Sequence, residues 1–378
     1  MVSIVSLLYY FLILFGVKYS GYKKFHEDFL SPKITNGLKG HAAVSILIGH
    51  LKYRGQQLLK KKLKYTPPFL LCSYPAFFLF CSRFGLMVNY KKKKNYLDHF
   101  LKRRLIVILV PYYLSKIIIS SYIRFKNYNN KKSIIENLKI IDFIKTLFIY
   151  HLNWFVNEII ILYLLFYFTF KFIKNKHISI LMILISTWLL FLLPTYAISE
   201  KNSRIFFVKI QYHQSIYSFI YGLLIGDYEK YIIRFVKKKY YIFFLISLIF
   251  PYLLINGLIK IAPYKHGKYF IYFSNLNKLN FQSIIIYSCG LIISMKFQFN
   301  NILLNYFGNH SFEMYLYQFT VFEIFELFVI SKNQLWKVFL IFSFVMFLSE
   351  ISKRIGQMLI NSLITMENKK ILNEIKIK

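Results

Sequence analysis

The chain has 378 residues, of which 57% are hydrophobic and 20% aromatic, and it carries a formal net charge of +35. Its apolar residues form blocks of about 17 to 22, which excludes an ordinary soluble domain and predicts membrane helices. The basic residues lie between these blocks, so we attribute the charge to membrane topology and exclude nucleic acid as a partner.

The apolar blocks, taken in chain order, predict about eleven transmembrane helices in an all-α, polytopic helix bundle. Two of them, 35–51 and 206–226, contain charged or imidazole side chains and are expected to face protein or water rather than lipid. The predicted spans are 2–18, 35–51, 68–89, 104–122, 154–173, 178–198, 206–226, 240–260, 280–297, 311–330 and 335–352.

The charge distribution predicts which ends face the cytoplasm. The densest basic cluster, 91–104, and the basic tail, 353–378, fall on one side if the spans alternate, and we assign that side to the cytoplasm. The basic loop around 52–64 runs against this bias. The first block lacks a basic segment before it and a cleavage site of small residues, so we predict a retained helix whose N-terminus lies outside.

Lys39 and His50 are the most informative residues, because both are ionisable groups inside a block that is expected to enter the membrane. In a helix, eleven steps make three turns and about 20° more, so the two side chains share one face about 16 Å apart. An ionisable group at this depth is costly and indicates function. His41 is turned to the opposite face and is read as scaffold.

Structural roles for the same two residues stay open on the pattern alone. A histidine near the end of a helix often hydrogen-bonds a neighbouring carbonyl, and a lysine near the interface extends its ammonium group toward water. No metal is predicted, because the nine histidines never form a helical i, i+4 pair.

Four short segments carry a resemblance to a known family. At 36–50, NGLKGHAAVSILIGH holds a basic residue, ten intervening positions and a histidine. At 77–86, FFLFCSRFGL forms an aromatic-rich helix, followed by a basic loop, Leu101 to Arg104, and a Pro-Tyr pair at 111–112. At 151–163, HLNWF is followed by a tyrosine nine positions after the tryptophan, and at 307–318 stands FGNHSFEMYLYQ.

In order and spacing these segments resemble acyltransferase family 3, a family of integral membrane proteins that acylate sugars, lipids and cell-surface polysaccharides. The preceding FHEDFLSPKITNGLKG resembles the Gram-positive variant with an extra N-terminal helix. The chain departs from the family at Arg83, where glycine is usual, at Val107, where the second member of a paired arginine motif is expected, and at Gln318, where histidine is common.

The resemblance implies a ten-helix core preceded by one helix: an N-terminal helix at 1–23, an acyltransferase domain at 24–355 and a basic cytoplasmic tail at 356–378. It implies a multi-pass protein of the bacterial cytoplasmic membrane that moves an acyl group, most simply acetyl, from acetyl-CoA to a sugar hydroxyl. The expected acceptor is a lipid-linked saccharide or a cell-surface or capsular polysaccharide, and membrane lipid surrounds the protein.

The resemblance also implies roles for individual residues. His50 is the expected general base, and a base near neutral pH is what acyl transfer to a hydroxyl needs. Glu158 is read as a partner that orients an imidazole or pairs with a lysine, or else as an acid favoured at a helix N-terminus by the macrodipole. The remaining assignments are donor binding by Lys39, Arg103 and Arg104, and substrate contact or support by Trp154, Glu158, Tyr163, Ser311 and Tyr315.

Two other functional classes remain as alternatives. A transporter or flippase of polysaccharides or lipid-linked sugars also needs a basic, aromatic-lined cavity, although no inverted repeat is visible in the sequence. A glycan polymerase would be expected to show a large outer loop, and the outer loops here are short.

Overall fold

The computed structural model describes residues 11–59, 68–129, 154–197, 216–255, 268–328 and 334–376. Almost all of this part of the chain is helical. The helices are α1 (Pro32–Leu59), α2 (Pro68–Lys92), α3 (Phe100–Asn129), α4 (Trp154–Phe172), α5 (Lys176–Ala197), α6 (Ile216–Lys238), α7 (Tyr240–Ile255), α8 (Lys268–Ser294), α9 (Ile302–Asn309), α10 (Ser311–Phe328) and α11 (Gln334–Lys376).

Ten of the eleven predicted spans correspond to one of these helices, which confirms the all-α prediction. The eleventh, 2–18, lies partly outside the described residues. Of the block predicted at 206–226, residues 206–215 lie outside the described part of the chain; the rest belongs to α6, which continues through a kink at Tyr228 to Lys238. The basic tail is not a separate segment in the described residues, because α11 runs on through it to Lys376.

Local sequence explains where several helices begin. Ser31 caps α1, with its hydroxyl accepting a hydrogen bond from the Ile34 N–H, and Pro32 takes the first helical position, where its missing N–H costs nothing. Asn175 caps α5 by accepting from the His177 N–H at 3.0 Å. Asn301 caps α9 in the same way, accepting from the Leu304 N–H at 2.8 Å.

Three small elements, two strands and one short helix, were not predicted from the sequence. The strands β1 (Lys18–Tyr19) and β2 (Phe297–Gln298) pair antiparallel, with Lys18 opposite Gln298. The short helix α9 follows directly after β2. Asn301, between them, donates to the Leu12 and Phe15 carbonyls and so joins the N-terminal segment to the start of α9.

The chain divides into two compact units. Unit 1 comprises residues 1–100 and 157–309, and unit 2 comprises 101–156 and 310–378. The hydrophobic core of unit 1 contains side chains from the segment before α1 and from α1, α2, α6, α7 and α8, and its members include Phe29, Ile46, Phe77, Phe80, Ile225, Tyr240 and Leu291. The boundaries of these two units differ from those of the domains predicted at 1–23, 24–355 and 356–378. The predicted domain division stays a prediction.

Within unit 1, α6 packs closely on α2 through two glycines one turn apart. A methyl group on Gly222 would lie 2.7 Å from the Phe80 carbonyl oxygen, and one on Gly226 would lie 2.9 Å from the Met87 Cβ. Small residues at this spacing allow membrane helices to approach at backbone distance. The α2–α6 crossing therefore depends on the absence of both side chains.

Within unit 2, α10 packs beside α11. The rings of Phe325 and Phe344 meet edge to face with their centroids 5.6 Å apart. Gly356 of α11 lies against Val110 and Leu114 of α3, at ordinary van der Waals distance.

Exposed apolar surface marks the helices as membrane helices. On α5 only a narrow stripe is buried, including Ile180 and Ile183, while Leu181, Ile185 and Leu189 are exposed. A helix that is apolar on its exposed face as well has lipid as its natural solvent. By length and apolarity, 100–122 and 155–172 are long enough to cross a bilayer, and shorter apolar helices cover 176–190, 240–250 and 280–294. The count of eleven spans stays a prediction.

Several contacts within unit 1 join segments that the predicted alternation of the spans places on one side, although the alternation itself stays a prediction. Lys176 contacts Asp227 at 2.9 Å, and Lys237 contacts Glu27 at 2.5 Å. Both pairs, like the β1–β2 pair, join segments that the charge pattern assigns to the cytoplasmic side.

Candidate functional site

Helix α1 carries the two ionisable residues that the sequence singles out. It is continuous from Pro32 to Leu59, so Lys39 and His50 lie on one helix with the spacing expected of them. Both side chains are half-buried. The Lys39 ammonium group is close enough to the buried Cys81 thiol of α2 for the two to interact electrostatically. Lys39 therefore belongs to the interior of unit 1.

His41 lies on the opposite face of α1, as predicted, and it lines a cavity of about 250 Å³. The other lining residues are nearly all apolar and come from α1, α2, α8 and the N-terminal segment, among them Ile13, Phe77, Tyr287 and Leu291. An apolar cavity in a membrane protein is a natural place for a hydrocarbon chain, so this face of α1 differs chemically from the Lys39 face.

A close crossing of α1 over α9 holds the site helix in place. A methyl group on Gly40 would collide with the Leu304 carbonyl oxygen, and one on Gly308 would collide with the Asn36 carbonyl oxygen. The Asn36 side chain donates to the Asn305 carbonyl at 3.0 Å and to the Asn309 side-chain oxygen at 2.9 Å. The structure thus brings the first and fourth of the family-like segments into direct contact.

The second and third segments meet around Arg83. This side chain is fully buried, and its guanidinium carbon lies 4.2 Å from the centroid of the Tyr163 ring and 3.9 Å from that of Phe219. The neighbouring Ser82 hydroxyl hydrogen-bonds the Tyr163 hydroxyl at 2.9 Å. Where the family has glycine, this chain therefore places a cation between aromatic rings of α4 and α6, beside the predicted support residue Tyr163.

The remaining predicted residues of unit 1 and unit 2 are placed as follows. In unit 1, Glu158 is a buried carboxylate of α4, 5% exposed, which is unusual enough in a membrane helix to indicate function. In unit 2, Arg103 is exposed and Arg104 half-buried in the first turns of α3. Trp154 is the first residue of α4.

Ser311 and Tyr315 belong to the first turns of α10 in unit 2. Ser311 is buried, and the Tyr315 ring packs edge to face on Phe155 at 5.3 Å. The start of α4 and the start of α10 are therefore in contact, which brings the third and fourth family-like segments together.

Sequence reasoning missed a polar cluster at this end of unit 2. The buried His310 imidazole lies 2.8 Å from a Glu350 carboxylate oxygen, and Arg354 contacts the other oxygen at 2.6 Å. Glu313 is also buried. The i, i+4 spacing of Glu350 and Arg354 was the available signal, but it indicates a helix-surface pair and does not reveal the histidine.

A second missed cluster lies at the kink of α6. The Asp227 carboxylate is fully buried and contacts Lys176 of α5 at 2.9 Å and Lys91 of α2 at 3.5 Å. Lys91 also donates to the Asp227 main-chain carbonyl at 2.6 Å. One carboxylate at the middle of α6 thus joins the end of α2 and the start of α5.

No group of three or more His, Cys, Asp or Glu side chains suited to a metal ion occurs among the described residues.

Comparison with known proteins identifies the chain at the level of the family. No curated protein matches it, and no solved structure matches it. The family comparison matches residues 33–351 to the acyltransferase domain of acyltransferase family 3. This range takes in all four segments described above and most of both units. The chain therefore belongs to acyltransferase family 3.

Proposed function

We propose that this protein is an O-acyltransferase of the bacterial cytoplasmic membrane that moves an acetyl group from cytoplasmic acetyl-CoA to a sugar hydroxyl. The acceptor in this proposal is a lipid-linked or cell-surface glycan, with capsular polysaccharide as the specific case. Membership of an acyltransferase family supports the reaction class. The donor, the acceptor and the residue roles are the proposal.

The reaction needs a base and an electrophile in one place. In the proposed mechanism, the His50 imidazole takes the proton of the acceptor hydroxyl while its oxygen attacks the thioester carbonyl of the donor. The carbon–sulfur bond breaks, the acetyl group passes to the sugar oxygen, and the coenzyme A thiolate leaves and regains a proton from the imidazolium. Imidazole suits this role because its unperturbed pKa lies near neutrality.

The observation that carries the proposal is the backbone contact between α1 and α9. Gly40 and Gly308 let the two helices touch, and Asn36 fixes them with two hydrogen bonds. A catalytic group must keep its position to within a fraction of an ångström, and sites on rigid helices meet that need better than sites on loops. Lys39 and His50 stand on the helix that this contact immobilises.

The separation of the two residues suits a donor and an acceptor that arrive from opposite faces. Lys39 lies nearer the cytoplasmic end of α1 in the predicted topology, and His50 lies about 16 Å further along the axis. That distance is about half the thickness of the hydrocarbon core. In the proposal Lys39 contacts the pantetheine end of the donor, and the thioester reaches His50 at mid-depth.

The other residues receive supporting roles. Arg103 and Arg104 are proposed to bind the donor at its phosphate or pantetheine end, for which the guanidinium fork is well suited. Glu158 is proposed to orient an imidazole or to pair with a cation, because an acid this deeply buried needs a partner. Trp154, Tyr163, Ser311 and Tyr315 are proposed to contact or support substrate, and Arg83 to hold the Tyr163 ring.

The test is to follow the acetyl group. Membranes that contain the protein are incubated with acetyl-CoA labelled in the acetyl group, and label is measured on the isolated glycan. Proton NMR of glycan from cells with and without the gene should show an acetyl methyl signal that requires the gene. A glycan that changes in amount or location but carries no acetyl group in either strain would instead support a transporter.

A further inference from the structure

A pocket lies in unit 1 where the segment before α1 meets the turn between α6 and α7. Its volume is about 430 Å³, within the range of small-molecule sites. Its lining residues, besides Ile242, are lysines and aromatic residues: Lys23, Phe25, Lys237, Lys238, Lys239, Tyr240 and Tyr241. In the predicted topology the pocket opens to the cytoplasm. A donor that enters from that side would meet Lys39 before His50.

The electrostatics of the pocket favour an anion. Four lysines contribute to its wall, and Glu27 contacts one of them, Lys237, at 2.5 Å. The first turn of α7 lines the same pocket, and α7 is a helix of 16 residues whose N-terminal end carries partial positive charge. Lysine ammonium groups and a helix N-terminus together suit phosphate groups.

The aromatic residues of the pocket are held in a fixed frame. The Phe25 and Tyr240 rings meet edge to face at 4.9 Å, and the Tyr241 ring lies 5.9 Å from that of Tyr22. Tyr241 is 51% exposed, so part of its surface is available to a ligand. A flat, exposed ring beside ammonium groups is the arrangement on which a nucleobase stacks.

Lys296 belongs to this frame rather than to the ligand site. It is 3% exposed, and its ammonium group donates to the Gly21 carbonyl at 2.7 Å and to the Lys24 carbonyl at 2.6 Å. It also lies 4.6 Å from the centroid of the Phe25 ring. A buried cation that is bonded to both carbonyls and packed on a lining ring keeps the wall rigid, and a rigid wall lowers the entropy that binding costs.

Lysines alone would be explained by membrane topology or by attraction to anionic lipid, and aromatic rings alone by an interfacial belt. Neither explanation accounts for lysines and aromatic rings that line one concave site of this size together. We propose that the pocket binds a phosphorylated adenine nucleotide, with the phosphates on Lys23, Lys238 and Lys239 and the base against Tyr241. Resting on the proposed function, we identify this ligand as the nucleotide end of the acyl donor, the end remote from the thioester.

The test measures binding without any transfer reaction. Purified full-length protein in neutral detergent is titrated with adenosine 3′,5′-bisphosphate, and its affinity is compared between wild type and variants. We expect Lys238→Gln with Lys239→Gln to weaken binding about tenfold or more, since two charge-assisted phosphate contacts are lost. Tyr241→Leu should weaken it about fivefold or more by removing the stacking surface.

The matched control is Lys174→Gln with Lys230→Gln, which removes two exposed lysines of unit 1 that do not line the pocket. This pair should bind the nucleotide as wild type does. An equal loss in the control pair would show general attraction rather than a site and would overturn the proposal.

Three further outcomes separate lipid from nucleotide, and the pocket from the proposed function. If the pocket variants bind the nucleotide normally but no longer gain thermal stability from phosphatidylglycerol vesicles, the pocket is a lipid-headgroup site and the proposal is wrong. If the pocket variants transfer acetyl with an unchanged KM for acetyl-CoA, the pocket does not bind the donor, and the proposed function is unaffected. Nucleotide binding that depends on the pocket in a wild-type protein without acetyltransferase activity would support the pocket and refute the proposed function.

Discussion

The α1–α9 crossing and the α2–α6 crossing of unit 1 both depend on glycine, but they differ in how closely the helices approach. At α1–α9 a methyl group on Gly40 or Gly308 would overlap a backbone carbonyl outright. At α2–α6 a methyl group on Gly222 would lie 2.7 Å from the Phe80 carbonyl oxygen, and one on Gly226 would lie 2.9 Å from the Met87 Cβ, which are tight but less severe contacts. The helix that carries Lys39 and His50 is thus the more tightly fixed of the two.

The comparison also separates two ways of stabilising a membrane protein. The α1–α9 crossing uses close backbone approach and the amide of Asn36. The α2–α6 crossing surrounds a buried cation, Arg83, with rings, and ends at a buried carboxylate, Asp227, with two lysines. The first arrangement fixes a position, and the second adds polar interactions, of which those of the fully buried Arg83 are strengthened by exclusion of water.

The largest effect is expected at the α1–α9 crossing. Gly40→Ala or Gly308→Ala should cost at least about 3 kcal/mol, because the added methyl group meets a carbonyl oxygen that cannot move. The loss of stability is measured as a lower amount of monodisperse protein on fluorescence-detected size-exclusion chromatography.

The control is Gly85→Ala in α2, since a methyl group there meets nothing within 4 Å. It should leave the amount of folded protein unchanged. Wild-type yield and melting temperature for Gly40→Ala would show that the close approach does not hold α1.

A smaller effect is expected at Arg83. Arg83→Gly restores the residue that is usual in the family but leaves a space between Tyr163 and Phe219, and it removes two cation–ring contacts worth about 2 kcal/mol in a desolvated site. The thermal unfolding midpoint in detergent should fall. The midpoint of Arg83→Met should fall less, because methionine fills part of the space without a charge. A midpoint for Arg83→Gly at or above that of wild type would mean that the sandwich adds no stability.

The smallest effect is expected at Asp227. Asp227→Asn removes the charge that pairs with Lys91 and Lys176, and because those lysine side chains are 42% and 45% exposed the loss should be about 1 kcal/mol. The difference from wild type should shrink as salt is raised. Glu229→Gln, two residues away, is the matched control and should not change the midpoint. A salt-independent loss would mean that the contacts act through packing rather than charge.

Sequence alone predicts the helices well where a block of apolar residues ends in a clear boundary. The block 154–173 becomes α4 and the block 311–330 becomes α10 almost residue for residue. It fails for α9, which has eight residues and is too short to produce a membrane signal. It also fails at α6, where the apolar block stops at 226 but the helix continues along a lysine-rich surface to Lys238.

The residues of the candidate site stay a prediction, and their contacts could not be read from the sequence. The motif segments at 36–40 and 307–309 were recognised separately, and their sequences do not indicate that Gly40 faces Leu304 or that Gly308 faces Asn36. A glycine permits a close approach of two helices, but it does not specify which helix approaches. The cluster around Asp227 was hidden for a related reason: its Lys91 belongs to a basic run that topology alone explains.

The most direct test of the account compares His50→Gln with His41→Gln, two changes of the same kind on opposite faces of α1. Acetyl transfer from labelled acetyl-CoA to the glycan is measured at matched protein levels. We predict that His50→Gln lowers the transfer rate by about 10²- to 10⁴-fold, the usual contribution of a general base, and that His41→Gln keeps most of it. Full transfer by folded His50→Gln protein would contradict the account.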